Sequence, residues 1–146
     1  MLIDWKVIGQ LTDKNVLGTD GLSTKEPRRT SRAILINEDG QYAVMHVEKF
    51  NLHSLPGGGI DNGENELSAL IREVFEETGC SCDAVEPLGI VSENRYHADY
   101  TSLSYYFVVR TKNKTGNTAF DRCRNRRWYS IKMVFFFRTI QFNKRY

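Results

Sequence analysis

Glu73, Glu76 and Glu77 stand at i, i+3 and i+4 in the stretch GGIDNGENELSALIREVFEETGC, which runs from Gly58 to Cys80. On a helix that spacing makes three carboxylates converge. Like charges so placed destabilise an isolated helix by roughly a few tenths of a kcal/mol per pair. A charged helix face is usually no more than a solvated face. Here Arg72 is the one basic residue of the stretch, and a single guanidinium cannot neutralise three neighbouring carboxylates plus Glu64. A hard divalent cation, Mg2+ or Mn2+, can: it takes a few carboxylates and completes its shell with water and substrate phosphate. The chemistry such a set supports is hydrolysis at phosphorus, with charge drawn from phosphate oxygens and a water made nucleophilic near neutral pH.

A helix must hold those acids. Leu67, Leu70, Ile71, Val74 and Thr78 recur at helical spacing and predict one buried stripe, with Arg72, Glu73, Glu76 and Glu77 on the other side. Glu64 and Glu66 suit the positive end of the helix dipole, and Gly79 is placed to close the last turn, so the helix is expected over Asn65 to Thr78. The preceding Leu55-Pro56-Gly57-Gly58-Gly59 lets backbone come close to the cation, because glycine has no Cβ to obstruct it. A glycine run alone is more often a turn than a phosphate site. This one lacks the Lys-Ser/Thr of a P-loop and the G-x-G-x-x-G of a dinucleotide fold, so its value lies in its position before the acidic helix.

Gly58, Glu64, Arg72, Glu73, Glu76, Glu77 and Gly79 follow the order G-x5-E-x7-R-E-apolar-x-E-E-x-G-apolar, which resembles the signature of the MutT-like Nudix hydrolases. Cys80 fills the last apolar position, a mild departure, since a free cysteine behaves as a small apolar side chain. The resemblance implies an α/β fold, an α/β/α sandwich with a mixed β-sheet and a loop-helix-loop for the motif. It implies Mg2+- or Mn2+-dependent cleavage of the pyrophosphate linkage in a small-molecule nucleoside diphosphate joined to another moiety. By the same resemblance the Gly58 carbonyl is a metal ligand and Arg72 orients a glutamate. Glu76 and Glu77 are the principal ligands expected, with Glu73 a third ligand or the base. Glu93 is an alternative base on a downstream loop, although an ordinary solvated acid is the commoner meaning of such a residue. Arg32 stands where related enzymes often hold a substrate phosphate or base, and a surface arginine is an equal reading. Phe50, His53, Tyr96 and Tyr100 are candidates to wall a base-stacking pocket, and each is also a plausible core or rim residue. Two other functions stay open: a nucleotide-binding domain without catalysis, and an RNA-end pyrophosphohydrolase.

At 146 residues, 40% hydrophobic and 26% charged, the chain is expected to form one domain over 1–146. No run approaches the roughly 18 apolar residues of a membrane helix, and MLIDWKVIGQ lacks the features of a signal peptide. No membrane partner and a cytoplasmic location are therefore expected, and a homodimer stays open. Cys80, Cys82 and Cys123 are a poor zinc set and are read as reduced thiols. His46, His53 and His97 show no ligand spacing.

The charge is uneven. Up to Asn113 there are 11 Lys and Arg against 17 Asp and Glu, net −6, whereas Lys114 to Tyr146 carries 9 against 1, net +8. A basic, aromatic tail of this kind can grip RNA, arginine meeting phosphates and rings stacking on bases. The favoured reading is that the atypical segment from residue 113 to the end is a drifted closing segment, with a frameshifted gene end one origin left open. Nucleic acid is thus a possible partner and not the preferred one. The resemblance covers Trp5 to about Asn113, and Arg127 to Ile131 resembles a strand-then-helix entry.

The remaining elements read as strands. Trp5 to Leu11, Arg32 to Ile36, Tyr42 to Val47, Ala84 to Val91 (broken by Pro87) and Leu103 to Thr111 have strand patterns, with Asn37 to Gly40 as a hairpin turn and Asp13 to Pro27 as loop. Arg28 and Arg29 read as surface residues.

Overall fold

The computed structural model describes residues 3–19, 21–47, 50–112 and 131–136. The chain order is β1 (Val7–Thr12), α1 (Asp13–Leu17), β2 (Arg28–Asn37), β3 (Tyr42–Val47), β4 (Leu52–Ser54), β5 (Gly57–Gly59), α2 (Glu66–Thr78), β6 (Ala84–Arg95), β7 (Tyr100–Thr111) and β8 (Ile131–Phe136). The strands form one 8-stranded sheet in the order β1-β6-β7-β2-β3-β4, with β5 added to β2 and β8 to β3. It is a mixed sheet, as expected: β1 runs parallel to β6 and β2 parallel to β7, while the other pairs are antiparallel.

Strand alternation decides where the core lies. Ala33 and Leu35 of β2 and Tyr105, Phe107 and Val109 of β7 share one face, and Leu70 and Val74 of α2 close over them together with Ala43 and Cys80. Trp5 meets Tyr105 and Phe107 edge-on, each at 5.1 Å between ring centroids. Burying a side chain the size of Leu70 stabilises the fold by about 1.5–3 kcal/mol, so this layer holds α2 on the sheet. On the opposite face Thr30 donates to Ser104 at 2.9 Å.

Helix α2 begins at Glu66, with the Asn65 side chain capping Ser68 N–H, and ends at Gly79 with φ 69°. Its buried stripe differs from the sequence expectation. Ala69, Leu70, Val74 and Thr78 are buried, whereas Leu67 is 39% exposed and Ile71 46%. The helix is rotated so that Glu73 and Glu77, half-buried, turn inward beside Leu70 and Val74. Hydrophobic periodicity assigns every carboxylate to water, but these two face backbone donors and a guanidinium instead.

Three further expectations are corrected. The loop after β1 contains α1, started by a capping box in which Asn15 N–H donates to Thr12 Oγ1 at 3.2 Å and Thr12 N–H to Asn15 Oδ1 at 2.6 Å. Pro87 does not break β6: it sits at a bulge beside Gly89, and β1 pairs with β6 only from Ile90 onward, so the missing N–H falls on an edge. Where a helix was expected after Arg127 to Ile131, Ile131–Phe136 form a strand antiparallel to β3. The rest of the basic tail lies outside the described residues.

Candidate active site

The site is built where β5 lies against β2, with Thr30, Ser31 and Arg32 opposite Gly59, Gly58 and Gly57. Ser31 Oγ donates to the Glu66 carbonyl at 2.7 Å, which docks the first turn of α2 on the same stretch of β2. Two of these glycines stand where a Cβ would meet close neighbours. Gly57 has φ 137°, and a Cβ there would stand 2.1 Å from the Ser31 carbonyl oxygen; at Gly58 it would stand 2.5 Å from Glu73 Cδ. The absent side chain at Gly58 is what lets the Glu73 carboxylate lie against the strand.

Arg72 organises the acids. Its Nε and Nη2 each reach a Glu64 oxygen at 2.8 Å, its Nη1 donates to Glu73 Oε1 at 2.7 Å, and its Nη2 also donates to the Gly59 carbonyl at 3.0 Å. Glu76 Oε2 is farther, at 3.5 Å, and Asp61 Oδ2 lies at 3.6 Å. A bidentate guanidinium–carboxylate pair fixes direction as well as charge. The Arg72 fork, helped by the Asp61 amide, holds the Glu64 carboxyl at about 2, and the Glu64 and Glu73 carboxylates raise the Arg72 guanidinium in turn. The importance of Glu64 as the main partner of Arg72 was not read from sequence, although its place eight residues before Arg72 was the available signal.

Glu77 accepts the Gly57 N–H at 2.8 Å. Burial pushes its carboxyl up to about 7, with Glu73 and Glu76 adding to the rise, against the pull of the Gly57 amide and the Arg32 guanidinium. Arg32 Nη1 donates to the carbonyls of Gly57 at 2.6 Å and Leu55 at 3.4 Å, so it braces the glycine strand. Arg29 pairs with Glu66 and lies 5.4 Å from the centroid of the Tyr105 ring.

The donor set suits a hard cation. Glu73, Glu76 and Glu77 supply carboxylate oxygens beside backbone carbonyls, and two guanidinium groups near them are already committed, Arg72 to Glu64 and Glu73 and Arg32 to carbonyls. Among the described residues no three His, Cys, Asp or Glu side chains are gathered as a ready-made cage, because Glu73 is turned to Arg72 and Glu77 to Gly57. Mg2+ does not need such a cage: it is commonly bound through one or two carboxylates together with waters and substrate phosphate.

The other sequence candidates lie apart. Glu93 is on strand β6, opposite Ser102 of β7 and Leu11 of β1, and not on a loop. Its Oε1 lies 3.4 Å from Arg95 Nε, which also approaches the buried Asp13 at 3.8 Å. Tyr96 follows β6, its ring against Gly21 and edge-on to His97. Phe50 precedes β4 and is exposed. Strands β6 and β4 stand four places apart in the sheet, so Phe50 and His53 on one side and Tyr96 on the other do not wall one pocket.

Residues 26–146 match the NUDIX domain model, and the chain belongs to the Nudix family. It is 29% identical over 91 residues to an RNA pyrophosphohydrolase of Rhodopseudomonas palustris (strain BisA53), covering 62% of this chain and 46% of that one. With an RNA pyrophosphohydrolase of Shewanella pealeana (strain ATCC 700345 / ANG-SQ1) the identity is 26% over 135 residues, 76% of this chain and 77% of the other. For three of the curated relatives the match spans only 38% to 46% of the relative's length. In fold it is similar to a MutT NUDIX hydrolase from Burkholderia pseudomallei, with TM-score 0.54 and 20% identity, covering 62% of this chain and 72% of that one. Among the described residues no helix is long and apolar enough to cross a membrane.

Proposed function

We propose that this protein is a metal-dependent pyrophosphohydrolase, cleaving the pyrophosphate linkage of a nucleoside diphosphate joined to another moiety. The observation that carries the reading is the pair Glu73 and Glu77, turned inward onto a glycine strand whose close approach a Cβ would prevent. Glu76, Glu77 and the Gly58 carbonyl hold Mg2+ or Mn2+, with Glu73 a third ligand or the base. The cation supplies charge neutralisation on phosphate oxygens and acidifies water. Arg72 keeps the Glu73 and Glu64 carboxylates in place, and the Gly57 N–H keeps Glu77 aimed along the strand. Such fixed groups need little reorganisation when charge develops at phosphorus.

RNA ends are the second reading for the substrate. The relatives matched over 135 residues are named RNA pyrophosphohydrolases, and the tail from Lys114 carries 9 Lys and Arg. The test is a panel of nucleoside triphosphates, ADP-ribose, dinucleoside polyphosphates and 5′-triphosphorylated RNA with Mg2+ or Mn2+, scored for phosphate, monophosphate and diphosphate products. Metal-dependent turnover of one class supports the proposal. Nucleotide binding without product from any of them means a binding domain and overturns it.

A further inference from the structure

Arg28, Arg29, Arg32 and Arg72 surround the glycine strand, and three of them are committed to the fold. Arg72 is taken up by Glu64, Glu73 and the Gly59 carbonyl, Arg32 by the carbonyls of Gly57 and Leu55, and Arg29 by Glu66 and the Tyr105 ring. Arg28 differs. It is exposed, its Nη2 stands 3.9 Å from the place a Cβ on Gly59 would occupy, and among the described residues its side chain makes no hydrogen bond or ion pair.

The register gives Arg28 its direction. Successive side chains of β2 point to opposite faces, so Arg28 shares a face with Thr30 and Arg32, away from α2. Its row continues through Ser102 of β7 to Glu93 of β6, whose carboxylate is already paired with Arg95. Strand β5 pairs only with β2 among the described residues. The strand therefore has Glu73 against one face at Gly58 and Arg28 near the other at Gly59, one residue or about 3.3 Å farther along.

We propose that Arg28 binds a non-reacting phosphate of the substrate, one beside the linkage that is cleaved, as the group crosses the edge of β5. This rests on the pyrophosphohydrolase reading above. The chemistry is that of a guanidinium fork, whose two parallel N–H donors match two oxygens of one phosphate and which carries its charge at every working pH. Among the described residues neither a carboxylate, as at Arg29 and Arg72, nor a carbonyl, as at Arg32, has to release the Arg28 side chain first.

The test is calorimetric binding of the α,β-imido analogue of a nucleoside 5′-triphosphate in the presence of Mg2+, compared with the nucleoside 5′-monophosphate. Arg28→Ala should weaken the analogue by about ten- to a hundredfold, the range of a lost charged hydrogen bond, and leave the monophosphate nearly unchanged. Arg28→Lys should recover part of the affinity. Arg110→Ala, at the far end of β7, should change neither, which separates a local contact from overall charge. With a hydrolysed substrate, Arg28→Ala should raise KM with kcat kept within a few-fold. Equal affinity of Arg28→Ala and wild type for the analogue overturns the assignment and leaves the hydrolase reading standing, as does equal weakening of both ligands. If wild type binds neither compound, both fall.

Discussion

The Glu77 carboxylate accepts the Gly57 amide hydrogen at 2.8 Å across 20 residues of sequence. This bond ties the last turn of α2 to the first residue of β5, and Ser31 ties the first turn of α2 to the same part of β2. The helix is thereby clamped at both ends over the glycine strand, so Glu73 between them has little freedom to move away from Gly58.

Glu76→Gln and Glu77→Gln should each lower hydrolysis by at least ~100-fold, because a charged oxygen ligand becomes a neutral one at nearly constant shape. Both variants should stay folded, since glutamine at residue 77 keeps an acceptor for the Gly57 N–H. Rates measured beside melting temperatures check this. Near-normal rates in both variants would remove these residues from the metal site.

The two glycines should fail differently. Gly57→Ala places a Cβ against the Ser31 carbonyl at a backbone angle that L-residues rarely adopt, and should cost about 1–3 kcal/mol or more of stability. Gly58→Ala meets only the movable Glu73 side chain, so the fold should persist while activity drops. Denaturant unfolding and turnover on both proteins separate the two effects. A normal rate in folded Gly58→Ala would show that the Glu73 position does not matter.

Chelation should abolish turnover, and Mg2+ or Mn2+ should restore it. A ligand that binds only the native state stabilises it in proportion to its excess over Kd, so added cation should also raise the melting temperature of wild type. The rise should be absent in the Glu76→Gln, Glu77→Gln double variant. An equal rise in wild type and variant would place the ion elsewhere.

Burial pushes the Cys82 thiol up to about 11, helped by Cys80 and Asp83. The native protein should therefore be alkylated at Cys82 far more slowly at pH 8 than the unfolded chain. Between about pH 9 and 11 the unfolded thiol ionises while the native one keeps its proton, so the native state binds more protons and loses stability as pH rises. The fall in melting temperature over that window should be smaller in Cys82→Ala. Identical slopes in the two proteins would contradict the burial of this thiol.

Much of the site was legible in the sequence because it is local. The acids at i, i+3 and i+4 and the closing Gly79 belong to one helix, where spacing alone fixes neighbours, whereas Asn65, expected as the first helical residue, proves to be its cap. The glycine run before it and the paired strands with the Asn37 to Gly40 turn were legible for the same reason. The tertiary structure decided which way that helix faces. Leu67 and Ile71 carry the apolar period as well as Leu70 and Val74 do, and only contact with β2 and β5 turns Leu70, Val74, Glu73 and Glu77 inward. It also decided which arginines are already taken. Arg28, Arg29 and Arg32 are alike in sequence, but β2 presents them to different faces and partners, and charge pairing depends on distances that no spacing along one strand determines.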